Sequence, residues 1–332
     1  MAHEIDSMFY TGEKPWHKLG KELGKVATAA EALAAAGLDW TVSKKPLYLM
    51  DGTEVPDHFA IVREDKNVPL GVVGNVYQPL QNKEAFSFFD AVVGSKEAIY
   101  HTAGSLRDGQ YVWILAKLPG TIRVVKDDLI EKYLLLTNAH NGMKAARMLF
   151  TPIRVVCMNT HNVAIALAER EIQKAKEAGE SFTGNATMRH TTNLGASVAR
   201  VRQQLGIVSM QYQVYEEAAK RLAATQVTME AWKSYLINVG IRPDDKKDAK
   251  LSTATQKIVD EVSAMFDKGR GNDLPGVKHT AWGAFNAVVE YVDYKRSSEK
   301  NDTRAKSVLF GSGANMKQKA WDAALSLAGG VR

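Results

Sequence analysis

The residues in this sequence that could perform catalysis or bind a metal form incomplete sets. Cys157 and His161 are four residues apart, so on a helix both side chains could face one metal ion or form a nucleophile–base pair. Zinc needs four ligands, and no nearby cysteine or acid–histidine pair supplies the others. The apolar residues Ile153, Val156 and Leu167 share the stripe of Cys157 and favour a neutral thiol. We therefore expect a structural cysteine, with no metal and no other cofactor.

Two glycine-containing segments could contact phosphate. Gly311-Ser312-Gly313 precedes Lys317, but the Walker spacing that defines a phosphate loop is missing. Lys268-Gly269-Arg270-Gly271 is basic and could touch a phosphate backbone, although segments of this kind are more often solvated connectors. The sequence also has no HExxH motif, no nucleophile elbow and no calcium loop. These observations predict a protein that is not an enzyme.

The distribution of charge is more informative than the net charge of +6. Residues 1–100 contain 10 basic and 14 acidic side chains, whereas residues 101–332 contain 33 and 23. Residues 132–168 and 181–215 contain no acid, and a surface without carboxylates does not repel phosphate. Windows this sparse also arise by chance. If both windows fold onto one face, the nucleic-acid-binding residues are Lys144, Arg147, Arg154, Arg189, Arg200 and Arg202.

Composition restricts the class of protein. With 332 residues, 45% of them hydrophobic and 24% charged, the chain can bury a sizeable core and is not a disordered or collagen-like protein. A single cysteine excludes an intramolecular disulfide framework. No apolar run approaches the roughly 20 residues that span a bilayer, and residues 1–10 lack the apolar region of a signal peptide. We expect a cytoplasmic protein with no membrane partner.

The first half of the chain has the pattern of an antiparallel sheet with a few helices. Thr28 can cap a short alanine-rich helix, and Asn141-Gly142 is the strongest hairpin signal. Helices are predicted over Ala29–Ala36 and Lys83–Val93, turns at Asp51-Gly52, Asp108-Gly109 and Pro119-Gly120, and strands over Phe59–Arg63, Leu70–Val76, Ile99–Ala103, Tyr111–Leu118, Thr121–Val125, Tyr133–Asn138 and Ala145–Phe150. This order predicts an α+β fold.

From Thr151 onward the spacing of apolar residues is helical. Thr151 and Pro152 suit the start of a helix that would continue through Leu167. Between Leu194 and Leu222, apolar and tyrosine residues alternate spacings of four and three, which defines a heptad seam. The seam suits a core-facing helix of a bundle, self-association or a partner helix. Further helices are predicted at Thr253–Phe266, around Trp282–Val292 and at Met316–Leu327, so we expect an α+β domain at 1–178 and a helical region at 179–332.

Four segments resemble a known family: residues 8–20, residues 150–160, Arg189-His190-Thr191 and residues 280–293. They are similar to phage- and plasmid-like proteins grouped as domain of unknown function 932, and the Arg-Val-Val-Cys-x-Asn-Thr block is the most specific part. His161 stands where leucine is expected. The resemblance implies an origin in a bacterial mobile element and assigns no activity. The predicted element order also resembles phage single-strand annealing proteins, which form rings or filaments and hold a strand in a basic groove.

These observations lead to two hypotheses. The first is a non-catalytic phage or plasmid protein that binds nucleic acid, with a preference for single-stranded DNA, and acts in recombination or replication, with homo-oligomers as a further expectation. The aromatics Trp16, Trp40, Tyr77 and Trp113 could stack on bases, although each residue type is more often found in a core. The alternative is an assembly or host-interaction protein that does not bind nucleic acid.

Overall fold

The computed structural model describes residues 5–11, 20–24, 28–93, 99–143, 146–156, 159–160, 186–188, 212–243, 251–296, 307 and 311–329. Strands predominate in the first half of the chain and helices in the second, which confirms the α+β class. The strands are β1 (Ile5–Tyr10), β2 (Lys21–Glu22), β3 (Val42–Tyr48), β4 (Glu54–Arg63), β5 (Val68–Gly74), β6 (Ile99–Leu106), β7 (Tyr111–Val125), β8 (Asp128–Ala139), β9 (Ala146–Phe150), β10 (Ile153–Arg154), β11 (Asn159–Thr160) and β12 (Ala186–Met188).

The helices confirm most of the predicted positions. They are α1 (Ala29–Ala35), α2 (Asn82–Val93), α3 (described over 212–224), α4 (Met229–Val239), α5 (Thr253–Lys268), α6 (Ala281–Glu290) and α7 (Ser312–Leu327). A π-helical turn, Tyr291–Lys295, continues α6. Thr28 caps α1 as expected, since its hydroxyl accepts from the backbone of Glu31 while the Glu31 carboxylate accepts from the backbone of Thr28.

Residue contacts divide the chain into two compact units. The first contains residues 1–119, 133–150 and 172–209, and the second contains residues 120–132, 151–171 and 210–332. The chain therefore passes between the units several times, whereas the sequence pattern predicts a single boundary after residue 178. Strands β7 and β8 contribute residues to both units.

The strands in the described part of the chain form two sheets. The order β3-β4-β5 forms a three-stranded antiparallel sheet, with Phe59 of β4 paired to Pro46 and Val73. A nine-stranded sheet has the path β11-β10-β8-β7-β6-β1-β2, with β9 paired to β8 and β12. The predicted hairpin at Asn141-Gly142 is confirmed, because Leu134 pairs with Phe150 across β8 and β9.

The core of the first unit lies between α1, α2 and the strands. Ala32 and Leu38 are fully buried, and Phe86 of α2 packs on Tyr100 of β6. Asn82, also in α2, donates to the carbonyl oxygen of Leu38 at 3.1 Å and so joins the helix to the segment after α1. Burial of these apolar surfaces supplies the main favourable free energy of folding.

The second unit surrounds α6, whose residues from Ala281 to Glu290 are all buried. Tyr215 of α3 stacks on Trp321 of α7 with ring centroids 5.2 Å apart, and Trp321 packs edge-on against Phe285. The seam residues that the structure describes, Tyr212, Tyr215, Ala219 and Leu222, are all buried. This part of the heptad seam therefore faces the core.

Two predicted features are wrong. No helix begins at Thr151, because Ile153 pairs with Glu131 of β8 and with Thr160 of β11 in an extended hairpin. The β-branched Ile153 suits a strand, and Val155 and Val156 lie in the turn that follows β10. Pro119-Gly120 is not a turn either, since β7 continues through both residues. Gly120 has a φ of +81°, a backbone conformation that glycine adopts without steric cost.

Candidate nucleic-acid interface

Arg154 has a different role from the one the charge pattern predicted. Its side chain is fully buried, and its Nε donates to the two carboxylate oxygens of Asp128 at 2.8 and 3.0 Å. Asp128 is also fully buried, and its Oδ2 accepts from the indole nitrogen of Trp282 at 2.8 Å. This burial corrects the expectation that Arg154 contacts phosphates, because a guanidinium paired with a carboxylate inside the protein is not presented to a ligand.

The remaining donors of Arg154 hold a loop in place. One terminal nitrogen, Nη2, donates to the carbonyl oxygen of Gly271 at 2.7 Å. The other, Nη1, donates to the carbonyl oxygen of Arg270 at 3.3 Å and to Oδ1 of Asn272 at 3.1 Å. We call residues 268–272 the basic loop; it begins at the last residue of α5. Arg154 therefore fixes the backbone of a loop that carries other cations.

Two further buried polar side chains fix the same loop. The Asn272 amide donates to the carbonyl oxygens of Met265 and Gly283 at 2.9 and 3.0 Å. The Glu290 carboxylate accepts the backbone N–H of Arg270 at 3.0 Å. Burial raises the pKa of Glu290 above its ordinary value, while the hydrogen bond from Arg270 and the nearby cations Arg270, Arg154 and Lys295 act in the opposite direction.

The loop presents the side chain of Arg270 to solvent. That side chain is 61% exposed, and its guanidinium carbon lies 4.7 Å from the centroid of the Tyr294 ring. Its Nε is 3.9 Å from Oε1 of Glu290. Two further cations are exposed: Lys268 at the end of α5 and Lys295 in the π-helical turn. The acid Asp273, next to the basic loop, is also exposed. A guanidinium supported by an aromatic ring can bind a phosphate or stack on a base with its outer face.

An apolar residue borders these cations. The space beside Gly271 is filled by the side chain of Val156, and Gly271 has a φ of +71°, so the loop passes close to the β10–β11 turn. Val155 and Val156 are both exposed. We call the surface formed by Val155, Val156, Arg270, Tyr294 and Lys295 the loop face. It combines cations, one aromatic ring and apolar side chains.

Of the other five residues predicted to contact phosphate, the structure describes only Arg147. The backbone of Arg147 lies in β9, where it pairs with Thr137 of β8 and Thr187 of β12. Lys144, Arg189, Arg200 and Arg202 lie outside the described residues, as do Cys157 and His161. The convergence of these cations on one face therefore stays a prediction.

The aromatics considered for base stacking are in or near the core where the structure describes them. Trp40 and Trp113 are buried, and the Tyr77 hydroxyl donates to the carbonyl oxygen of Ala139 at 3.3 Å. Trp16 lies outside the described residues. The sequence pattern did not identify Tyr294 as a functional residue. Its one indication was that Tyr294 directly follows residues 280–293, one of the segments that resemble the family. Asp128 offered no signal, because only the fold reveals its partner.

The glycine-containing segment at Gly311 does not form a phosphate loop. Gly311 is the N-cap residue of α7, and Lys317 is fully buried, with its Nζ 2.5 Å from Oδ1 of Asp293. Burial lowers the pKa of Lys317, and the attraction of Asp293 opposes that effect. Within the part of the chain that the structure describes, no group of three or more histidine, cysteine or acidic residues could hold a metal ion.

The structure is that of an α+β protein whose loop face is basic and partly apolar, and whose basic loop is held by the buried ion pair of Arg154 and Asp128. The chain belongs to the family described as Domain of unknown function (DUF932), which it matches over residues 69–321. The match contains Asp128, Arg154, Asn272, Trp282 and Glu290, so the residues that fix the basic loop all lie inside it. No curated protein and no solved structure matches the chain. Among the described helices, none is long and apolar enough to cross a membrane.

Proposed function

We propose that this protein binds nucleic acid without catalysing a reaction, that it prefers single-stranded DNA, and that it serves recombination or replication of a phage or plasmid. The observation that carries the proposal is the Arg270 guanidinium resting on the Tyr294 ring, on a loop whose backbone is fixed by Arg154, Asn272 and Glu290. A loop that is already ordered loses little conformational entropy when a ligand binds.

The preference for a single strand follows from the chemistry of this surface. Arginine planes and tyrosine rings stack on bases that are not already stacked in a duplex. Arg270 and Lys295 are both close enough to Glu290 to lower its pKa, so Lys295 can neutralise a phosphate near Arg270. The excess of basic residues in the segment 101–332, at 33 against 23 acidic, favours a polyanionic ligand.

The charge contribution is tested by fluorescence anisotropy with a labelled single strand and the matching duplex, between about 50 and 200 mM salt. Arg270→Gln should weaken binding and make the slope of log K against log salt shallower by about 0.7, because one phosphate contact is lost. Arg221→Gln is the matched control, since Arg221 is an exposed arginine of α3. Absence of binding, or equal effects of the two substitutions, would contradict the proposal.

The stacking contribution is tested separately at Tyr294. Tyr294→Phe keeps the ring and should bind the single strand nearly as well as the native protein. Tyr294→Ala removes it and should cost about 1–3 kcal/mol of binding free energy for one stacked base. The loss should be smaller for the duplex. If the alanine and phenylalanine variants bind alike, Tyr294 is not a stacking platform.

A further inference from the structure

The hairpin formed by β3 and β4 ends in exposed apolar side chains. Tyr48, Leu49 and Met50 are 59%, 55% and 108% exposed. The pairing of Tyr48 with Glu54 closes the hairpin, whereas β5 pairs with β4 only as far as His58 and Gly74. The end of the hairpin therefore extends beyond the third strand. We call residues 47–57 the apolar tip.

The apolar tip is also acidic. Asp51, Glu54 and Asp57 are exposed, and residues 47–57 contain no basic residue. Hydrogen bonds from Thr53 lower the pKa of Asp51, so this carboxylate is charged at neutral pH. Three carboxylates repel nucleic acid and anionic lipid headgroups. The chemistry that suits the apolar tip is a protein surface that is both apolar and basic.

The loop face of the same chain has that chemistry. Val156 lies against Gly271 of the basic loop, Val155 is exposed next to it in the chain, and Arg270 and Lys295 are exposed cations of the same surface. Pairing of two apolar tips is disfavoured, because their carboxylates would face one another. We propose that the apolar tip of one molecule docks on the loop face of a second copy. The contact joins two different surfaces, so repetition of it generates a ring or an open filament.

This docking does not require nucleic-acid binding, but it uses the same face. A strand bound at Arg270 and Tyr294 would therefore displace the apolar tip of the neighbouring copy. That consequence rests on the proposed function, whereas the docking is measured on protein free of nucleic acid.

The docking is tested by sedimentation velocity of the full chain, at protein concentrations from about 1 µM to 1 mM, where weak contacts become visible. The mean mass should rise with concentration. The double substitution Leu49→Ser/Met50→Ser should abolish the rise, because both side chains are exposed and contribute to docking rather than to the core. Met229→Ser is the matched control, since Met229 is also exposed but lies on α4. A native chain that stays monomeric overturns the proposal.

A mixing experiment tests the identity of the two surfaces. Arg270→Glu disables the loop face and leaves the apolar tip intact, so this variant alone should be monomeric. Mixed with the Leu49→Ser/Met50→Ser variant, it should form a complex of one copy of each, because one native tip then meets one native loop face. Assembly that persists in either variant alone, or a mixture with no complex, overturns the proposal. Failure of the docking proposal is distinguished from failure of the proposed function by fluorescence anisotropy, which measures binding of labelled DNA separately.

Discussion

At the scale of single residues, the arginine that the charge pattern assigned to phosphate binding organises the interior. Arg154 uses its guanidinium nitrogens for Asp128, Asn272 and the carbonyl oxygens of the basic loop. A buried ion pair adds little net stability relative to a well-packed apolar pair, because both charges lose their hydration. Removing one partner is costly, because it leaves the other charge buried and alone.

Replacing Arg154 should therefore affect stability strongly. Arg154→Met leaves Asp128 buried without its cation, and we expect a loss of about 3–5 kcal/mol in the free energy of unfolding. Arg123→Met is the control, since Arg123 is exposed on β7, and should change stability by less than about 0.5 kcal/mol. Urea denaturation followed by circular dichroism measures both. Equal losses in the two variants would show that Arg154 is not a structural residue.

Glu290 predicts a pH dependence. Burial raises its folded-state pKa above the ordinary value of 4.5, so the folded state disfavours the carboxylate. The resulting destabilisation is fully present above the folded-state pKa and disappears as the pH falls to about 4.5. Glu290→Gln keeps an acceptor for the Arg270 N–H and does not titrate. The native protein should therefore gain stability relative to this variant as the pH falls from 7 toward 4.5, as urea denaturation at several pH values can measure.

At the scale of elements, the β8–β9 turn rests on β5. A Cβ atom added to Gly71 would lie 2.6 Å from the backbone oxygen of Asn141, closer than real contacts allow. The absence of a side chain at Gly71 therefore lets the turn approach the strand. This approach places the turn at Gly142 against Val73.

Two glycines of β5 provide a matched comparison for this contact. Gly71→Ala should lower the free energy of unfolding by about 1–3 kcal/mol, because the turn or the strand must move to admit a methyl group. Gly74→Ala should be nearly neutral, since nothing lies within 4 Å of the added atom. Thermal denaturation of both variants checks the difference. Similar melting temperatures would contradict the close contact.

Elements with a strong local signal were predicted correctly. Thr28 and Glu31 form the capping box of α1, and Asn141-Gly142 forms the β8–β9 turn, because both signals involve residues close in sequence. The segment after Thr151 was predicted as a helix because Thr151 and Pro152 are residues that favour the start of a helix. Pairing with β8 and the ion pair of Arg154 with Asp128 outweigh that preference, and both partners are distant in sequence.

At the scale of the whole molecule, the two compact units are built from alternating parts of the chain. The second unit combines residues 120–132 and 151–171 with residues 210–332. Asp128 and Arg154 therefore belong to the same unit as Trp282 and Asn272, although more than 100 residues separate them in the chain.

This arrangement predicts the behaviour of fragments. A fragment of residues 1–178 contains Asp128 and Arg154 without Trp282 and Asn272, so the second unit cannot complete its core. We expect residues 179–332 not to unfold cooperatively when expressed alone and residues 1–178 to unfold at a lower temperature than the full chain, and calorimetry measures both. A cooperative transition in either fragment at the temperature of the full chain would support the single boundary after residue 178.

The sequence by itself determined the α+β class, most of the helices and hairpins, the uneven charge and the resemblance to a family, because each depends on composition or on residues close in the chain. Only the tertiary structure decided which cations are buried and which are presented. Arg154 and Arg270 are both arginines of basic segments. Arg154 is buried in an ion pair with Asp128, whereas Arg270 lies at the surface on the Tyr294 ring. Whether an arginine is buried or exposed depends on partners that are distant in the sequence. The spacing of residues along the chain does not identify those partners.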